Sequence, residues 1–225
     1  MTKLAYISIS GKIKNIVDQL GGMTLGRPYS GGTYSISKNN RYAYTLGNVY
    51  SPSDLAVGFN TSFKRLTALN KDLFDHKELG NVEEVWFKSS FDERQIQGWL
   101  VKPPNFDPSK KYPLILEIHG GPFSNYGFRF SAEIQLFASK GYMVLYTNPR
   151  GSTSYGKEFA NLIHHNYPNQ DYDDLMSGVD HIIKRSYIDE ENLFVTGGSG
   201  GGVLTAWIIG LSLIHISEPT RLGFI

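Results

Sequence analysis

The chain has 225 residues, a formal net charge of +1 and 19% charged side chains, so no basic surplus points to nucleic acid or to an anionic membrane. It contains no cysteine, which excludes disulfide scaffolds, thiolate zinc sites and cysteine nucleophiles. A hydrophobic content of 40% excludes collagen-like, low-complexity and disordered classes, and the length suits one or two domains.

The first ten residues lack the unbroken apolar core and small-residue cleavage site of a signal peptide. With the absence of cysteine, this favours a cytoplasmic location. The longest apolar stretch, 203–216, includes Thr205, Ser212 and His215. It falls short of the roughly 18 apolar residues a membrane-spanning helix needs.

Up to about residue 81 the pattern is one of short strands between turn signals. Ile36, Tyr42 and Tyr44 alternate in two strands that meet at Asn39-Asn40, and asparagine tolerates the positive φ of a tight hairpin. Residues 54–59 and 64–67 read as further strands of an antiparallel module. No repeat period shows within this segment, so internal symmetry does not establish a propeller.

From Val82 the elements lengthen. Residues 85–88 and 95–101 alternate as strands, and 114–118 form a short apolar run that opens into His119-Gly-Gly-Pro. Residues 131–140 carry helical spacing and stop at Gly141, a suitable C-cap. Residues 142–146 read as a buried strand. Residues 173–184 form an amphipathic helix with Leu175, Met176, Val179, Ile182 and Ile183 on one face and acidic residues at its start. Residues 193–196 give another buried strand, then a glycine run, then an apolar helix from about Val203. Alternating strands and helices predict an α/β unit with a mainly parallel sheet and a ligand site beyond the strands' carboxyl ends.

Gly197-Gly198-Ser199-Gly200-Gly201 fits Gly-x-Ser-x-Gly between a strand and a helix. In that setting a strained turn lifts the serine oxygen above the sheet, and the small flanking residues Gly197 and Gly201 avoid clashes. The helix N-terminus favours developing negative charge there. A P-loop requires Lys and Ser or Thr after the last glycine, and a dinucleotide fingerprint requires glycine or alanine where Val203 stands. The alternative is a glycine-rich turn without chemistry. The His119-Gly120-Gly121-Pro122 loop suits a backbone N–H aimed at an oxyanion; the alternative is an ordinary turn. His119 is read as structural. The adjacent His164 and His165 point in different directions and are not read as metal ligands. His181 is expected to be solvated on its helix's polar side and His76 to lie in a loop. Arg150 is expected to pair with a nearby carboxylate, with a substrate carboxylate as the alternative.

At these residues the chain resembles the prolyl oligopeptidase family of serine peptidases, in particular its acylaminoacyl-peptidase and dipeptidyl-aminopeptidase-like branch. The resemblance rests on Gln97-Gly-Trp-Leu-Val-Lys-Pro-Pro, on 113–122, on Asn148-Pro-Arg-Gly-Ser-Thr-Ser-Tyr-Gly and on Val195-Thr-Gly-Gly-Ser-Gly-Gly-Gly. It implies an α/β-hydrolase domain over 82–210, preceded over 1–81 by the end of an N-terminal β-propeller. It implies Ser199 as nucleophile, the N–H groups of Gly121 and Gly200 as oxyanion donors, short peptides as substrates, and no metal or cofactor. The family often has a larger residue, such as tyrosine, directly after the serine; here Gly200 stands there.

In α/β-hydrolases the acid and then the histidine follow the serine. After Ser199 come only His215 and then Glu218, in the reverse order. The expectation is therefore a fragment truncated at both ends and, taken alone, inactive. Residues 211–225 resemble a sequencing adapter read through as protein and are expected to form a non-native tail, leaving an exposed apolar face around Leu204, Trp207 and Ile208. The alternative readings are a carboxylesterase or lipase on the same fold, or a non-catalytic fragment.

Overall fold

The computed structural model describes residues 2–18, 20–22 and 24–211. These fall into two compact units. One runs up to Glu78 and takes in Gly127–Glu133, and the other comprises Leu79–Tyr126 and the described residues from Ile134 onward.

The first unit is β-rich. Strands β1 (Leu4–Ile7) and β2 (Ile13–Val17) form an antiparallel ribbon. Strands β3 (Tyr34–Ile36), β4 (Arg41–Asn48), β5 (Ser51–Phe59) and β6 (Ser62–Arg65) follow one another in a four-stranded antiparallel meander. Asn40 takes a φ of 59° at the hairpin, and Ile36 pairs with Tyr42. The alternation in β4 places Tyr42, Tyr44 and Leu46 in the core with Leu4, Val17, Leu20 and Ala56. Buried Asp54 accepts hydrogen bonds from the Thr67 hydroxyl and the Leu69 N–H. A short helix, α1 (Lys71–Phe74), follows. The segment Gly127–Glu133 belongs here through Gly127 N–H to Pro28, Ala132 N–H to Leu25 and an Arg27–Glu133 ion pair of 3.1 Å.

The second unit is α/β. Its sheet has the order β11-β9-β10-β8-β7, from β7 (Val82–Lys88), β8 (Gln95–Val101), β9 (Tyr112–Ile118), β10 (Met143–Asn148) and β11 (Ile188–Gly197). The sheet is mixed. β9 lies parallel to both β10 and β11, whereas β8 runs antiparallel to β7 and β10. The parallel character expected from the sequence thus holds only for the three strands that feed the helices, because the β7–β8 hairpin adds two antiparallel interfaces. Helix α2 (Ala132–Ser139) ends at Gly141, whose φ of 92° takes the left-handed C-cap conformation. Helices α3 (Lys157–Asn161) and α4 (Gln170–Ile183) precede β11, and α5 (Gly200–Leu211) follows it.

α4 buries Leu175, Val179 and Ile182 in the sheet core, with Met176 and Ile183 packed at its edge. α5 buries Leu204 and Ile208, each 3% exposed, in that same core. The expectation that both stand on an open face is therefore corrected. The outward face of α5 carries Val203, Trp207 and Leu211, beside a shallow groove of about 540 Å³. Of the expected 211–225 tail, Leu211 is the end of α5, and residues 212–225 lie outside the described residues. Among the described residues, no helix is long and apolar enough to cross a membrane.

Candidate active site at the strand-to-helix elbow

Strand β11 ends at Gly197, Gly198 and Ser199 make the turn, and α5 starts at Gly200. Ser199 has a φ of 56°, a left-handed conformation that costs a non-glycine residue on the order of 1–3 kcal/mol and persists only where surroundings enforce it. The enforcement is steric. A Cβ on Gly197 would sit 2.6 Å from the Gly201 carbonyl group, and one on Gly201 would sit 2.1 Å from the Ile118 carbonyl oxygen. The chain can fold back over the end of β9 only without side chains at both positions. Ser199 itself is exposed, and its hydroxyl bonds to no described residue.

The loop after β9 meets this turn. Gly121 takes a φ of 140°, and its nitrogen lies 3.3 Å from the point that a Cβ on Gly200 would occupy. Neither the Gly121 N–H nor the Gly200 N–H donates to a backbone or side-chain acceptor among the described residues. Two open backbone donors thus stand side by side at the serine, on the edge where the parallel strands end.

His119 is held away from such a role. Its Nδ1 lies 2.9 Å from the Gly120 carbonyl and its Nε2 lies 2.9 Å from the Ser152 hydroxyl. Burial lowers its pKa, against the opposing effect of the Gly120 bond, so the ring is neutral. The Ser152 hydroxyl spends its one proton on the Pro149 carbonyl at 2.6 Å, so the neutral ring has a single N–H to give, either from Nδ1 to Gly120 or from Nε2 to Ser152. The structural reading of His119 agrees with this arrangement.

The loop after β10 braces the loop after β9. The Thr153 N–H donates to the Ser124 carbonyl at 2.9 Å, and the Thr153 hydroxyl donates to Asn125 at 2.9 Å. The Asn148 side chain accepts from the Tyr126 N–H at 2.8 Å and donates to its carbonyl at 2.9 Å. Arg150 anchors this loop. Its guanidinium reaches Asp174 at 2.8 and 2.9 Å and Asp92 at 3.0 Å, with side-chain exposures of 2% for Arg150 and 0% for Asp174. Arg150 is therefore the ion-paired residue expected, and burial leaves no route for a substrate carboxylate.

Tyr167, between α3 and α4, donates its hydroxyl to the Gly200 carbonyl at 2.5 Å. Burial, together with the charge of Asp171, pushes its pKa up to about 12. Sequence reasoning missed Tyr167, Ser152 and Asp174, although Ser152 lies inside the Asn148–Gly156 segment that carries the resemblance. His164 and His165 are exposed, and the described residues hold no group of three or more metal-type side chains. His181 is corrected: it is partly buried and stacks on Phe87, with ring centroids 5.9 Å apart. His215 and Glu218 lie outside the described residues.

Comparison with known proteins bears on the family and the fold. Residues 128–212 match the prolyl oligopeptidase family. An uncharacterized peptidase of Bacillus subtilis, YuxL, is 38% identical over 212 residues, covering 93% of this chain and 31% of the relative. The uncomplexed acylaminoacyl peptidase of Pyrococcus horikoshii superposes with a TM-score of 0.78 at 28% identity, covering 91% of this chain and 31% of that one. An acylaminoacyl peptidase in complex with Z-Gly-Gly-Phe-chloromethyl ketone gives a TM-score of 0.78 at 27% identity and the same coverage. The chain thus spans under a third of the length of each.

Proposed function

We propose that this chain, which belongs to the prolyl oligopeptidase family, carries the nucleophile and oxyanion hole of a serine peptidase acting on short peptides. Ser199 attacks the peptide carbonyl through Oγ and forms an acyl-enzyme. The Gly121 and Gly200 N–H groups hold the oxygen as it becomes an anion, each worth about 3 kcal/mol of barrier. Gly197 and Gly201 allow the elbow. The observation that carries the reading is the exposed, left-handed Ser199 beside two unengaged backbone N–H groups. Peptide substrates are supported by the related acylaminoacyl peptidase that binds a peptidyl chloromethyl ketone.

In this reading residues 1–81 are the end of a substrate-filtering propeller and 82–210 the first part of the catalytic domain. The consecutive four-stranded meander β3–β6 supports the former, since it has the form of a propeller blade. The proton leaving Ser199 needs a histidine that follows an acid after the serine. The 225 residues offer His215 before Glu218, so the chain alone is without efficient peptidase activity. What is left without the base is about 10³–10⁴-fold over water.

Fluorophosphonate labelling read by mass spectrometry tests this. Label should appear on Ser199, slowly, and be absent from Ser199→Ala. Label of equal extent in Ser199→Ala would sink the assignment of the nucleophile. Turnover of peptide p-nitroanilides at the roughly 1–10³ s⁻¹ of ordinary enzymes would sink the inactivity of the chain. Turnover of p-nitrophenyl esters alone would favour an esterase.

A further inference from the structure

Residues 197–202 carry one side chain, that of Ser199, among five glycines. Glycine keeps the most backbone freedom of any residue and begins a helix poorly. Sterics restrain two of these positions, since Gly197 is pressed against Gly201 and Gly201 against the end of β9. Gly200 is less tightly held, its nearest backbone atoms being the Gly121 nitrogen and carbonyl carbon at 3.3 and 3.5 Å from a Cβ there. The nearest atoms to a Cβ there would be the Tyr167 hydroxyl at 3.1 Å and the Gly121 nitrogen at 3.3 Å. Yet Gly200 supplies one of the two open N–H groups, and a donor is useful to an oxyanion only within a few tenths of an ångström of its place.

The Tyr167 hydroxyl donates to the Gly200 carbonyl at 2.5 Å from a loop outside the elbow. Fixing that carbonyl fixes the peptide plane after Gly200. Only the two torsions of Gly200 separate that plane from its N–H. We propose that Tyr167 is a positioning residue for the site, clamping the first turn of α5 so that the Gly200 and Gly121 N–H groups stay convergent on one oxygen. This rests on the reading of Ser199 as nucleophile. Tyrosine fits that role through its two χ angles, its partly buried ring, and a phenol that stays protonated at any working pH because burial pushes its pKa up to about 12. A methyl group at residue 200 would press on the same hydroxyl, 3.1 Å away.

The test compares the full 225-residue chain with Tyr167→Phe, which keeps the ring and removes the donor. Amide hydrogen exchange at Gly201 and Gly202, whose N–H groups bond to Gly198 and Ser199, should accelerate about tenfold while exchange in β10 is unchanged. Equal exchange at Gly201 and Gly202, or acceleration spread equally through β10, overturns the clamp. Fluorophosphonate labelling of Ser199 should slow about tenfold in its rate constant, with the reagent's apparent binding constant unchanged. Equal rate constants overturn the role of Tyr167 and leave the nucleophile reading intact. Wild-type labelling no faster than that of Ser199→Ala overturns the nucleophile reading, and the positioning role with it, while the exchange result still reports on the clamp alone. Should Tyr167→Phe fail to fold, Gly200→Ala probes the contact from the other side. The added methyl displaces the hydroxyl, so exchange at Gly201 and Gly202 should accelerate despite alanine's better helix propensity. Slower exchange there overturns the proposal.

Discussion

Asp174→Asn removes the deepest negative charge of the Arg150 cluster, and the expected cost follows from what the carboxylate holds. Its two oxygens accept from the Arg150 N–H at 2.7 Å, from Nε at 2.9 Å and from Nη2 at 2.8 Å. An amide offers one acceptor in place of two and presents an NH₂ to a guanidinium. Breaking a buried ion pair by removing one partner costs about 3–5 kcal/mol, because the other charge stays buried. Asp92, at 3.0 Å and 26% exposed, remains as a second partner, so the loss should fall at the low end, about 3 kcal/mol. Asp92→Asn should cost about 1 kcal/mol, as for a partly solvated pair. Burial pushes the Asp92 pKa upward, but its bonds to Arg150 and Arg94 outweigh this and hold it below the ordinary carboxylate value. Its contribution is therefore whole above that value, about 3.9, and is lost as the pH falls through the lower folded pKa. Urea unfolding of wild type and both variants, at constant m, measures all of this. A loss below about 1 kcal/mol for Asp174→Asn would show that the cluster is solvated like a surface pair and that burial reasoning fails here.

Three further outcomes are expected. Ser199→Gly relieves the left-handed strain and should stabilise the chain by up to about 1 kcal/mol; urea unfolding showing a loss would mean that φ near 56° is not strained. Gly201→Ala places a methyl 2.1 Å from the Ile118 oxygen and should cost about 3 kcal/mol or prevent folding; a wild-type unfolding midpoint would place the elbow elsewhere. Burial lowers the pKa of His119, so the unfolded state takes up the proton first, and stability should fall as the pH drops through the unfolded value near 6.5. An NMR titration midpoint for His119 at or above that value would contradict the buried, neutral ring.

What the sequence discloses here is what repeats along the chain or sits at a turn. Alternation puts Tyr42 and Tyr44 on one face of β4, although their β3 partners Ile36 and Tyr34 stay exposed; Asn39-Asn40 marks the hairpin and Gly141 marks a helix end, because each is a local backbone requirement. The Gly-x-Ser-x-Gly run points to the elbow for the same reason. Side-chain direction on α5 is less legible, since the helix is apolar all round and period alone does not choose a face. Leu204 and Ile208 turn inward, and Val203 and Trp207 outward, because β9 and β11 lie on one side only. His181 shares its helix face with Ser177 and Lys184, yet Phe87 from β7 covers its ring. Tyr167 carries no local signal, since its partner is 33 residues away. The exchange of Gly127–Glu133 into the first unit depends largely on backbone bonds to Leu25, Gly26 and Pro28, which leave no mark on residue type, and the Arg27–Glu133 pair joins residues 106 positions apart.

The glycines of the elbow are a case in which one local composition answers several separate demands. Three of them open α5, where each costs about 1 kcal/mol relative to alanine. Local propensity therefore argues against a helix starting at Gly200, and the sequence pattern alone puts its start near Val203. The structure overrides propensity because Leu204 and Ile208, one turn and two turns on, bury themselves in the sheet core, each gaining about 1.5–3 kcal/mol. That gain exceeds the cost of the glycines and draws the helix back to Gly200, which leaves the Gly200 N–H at an unpaired helix start. The tight turn that this start leaves between β11 and α5 holds Ser199 in the left-handed region. A local rule is thus broken at the candidate site and offset by packing at a distance from it, the pattern expected where a fold holds reactive groups in place.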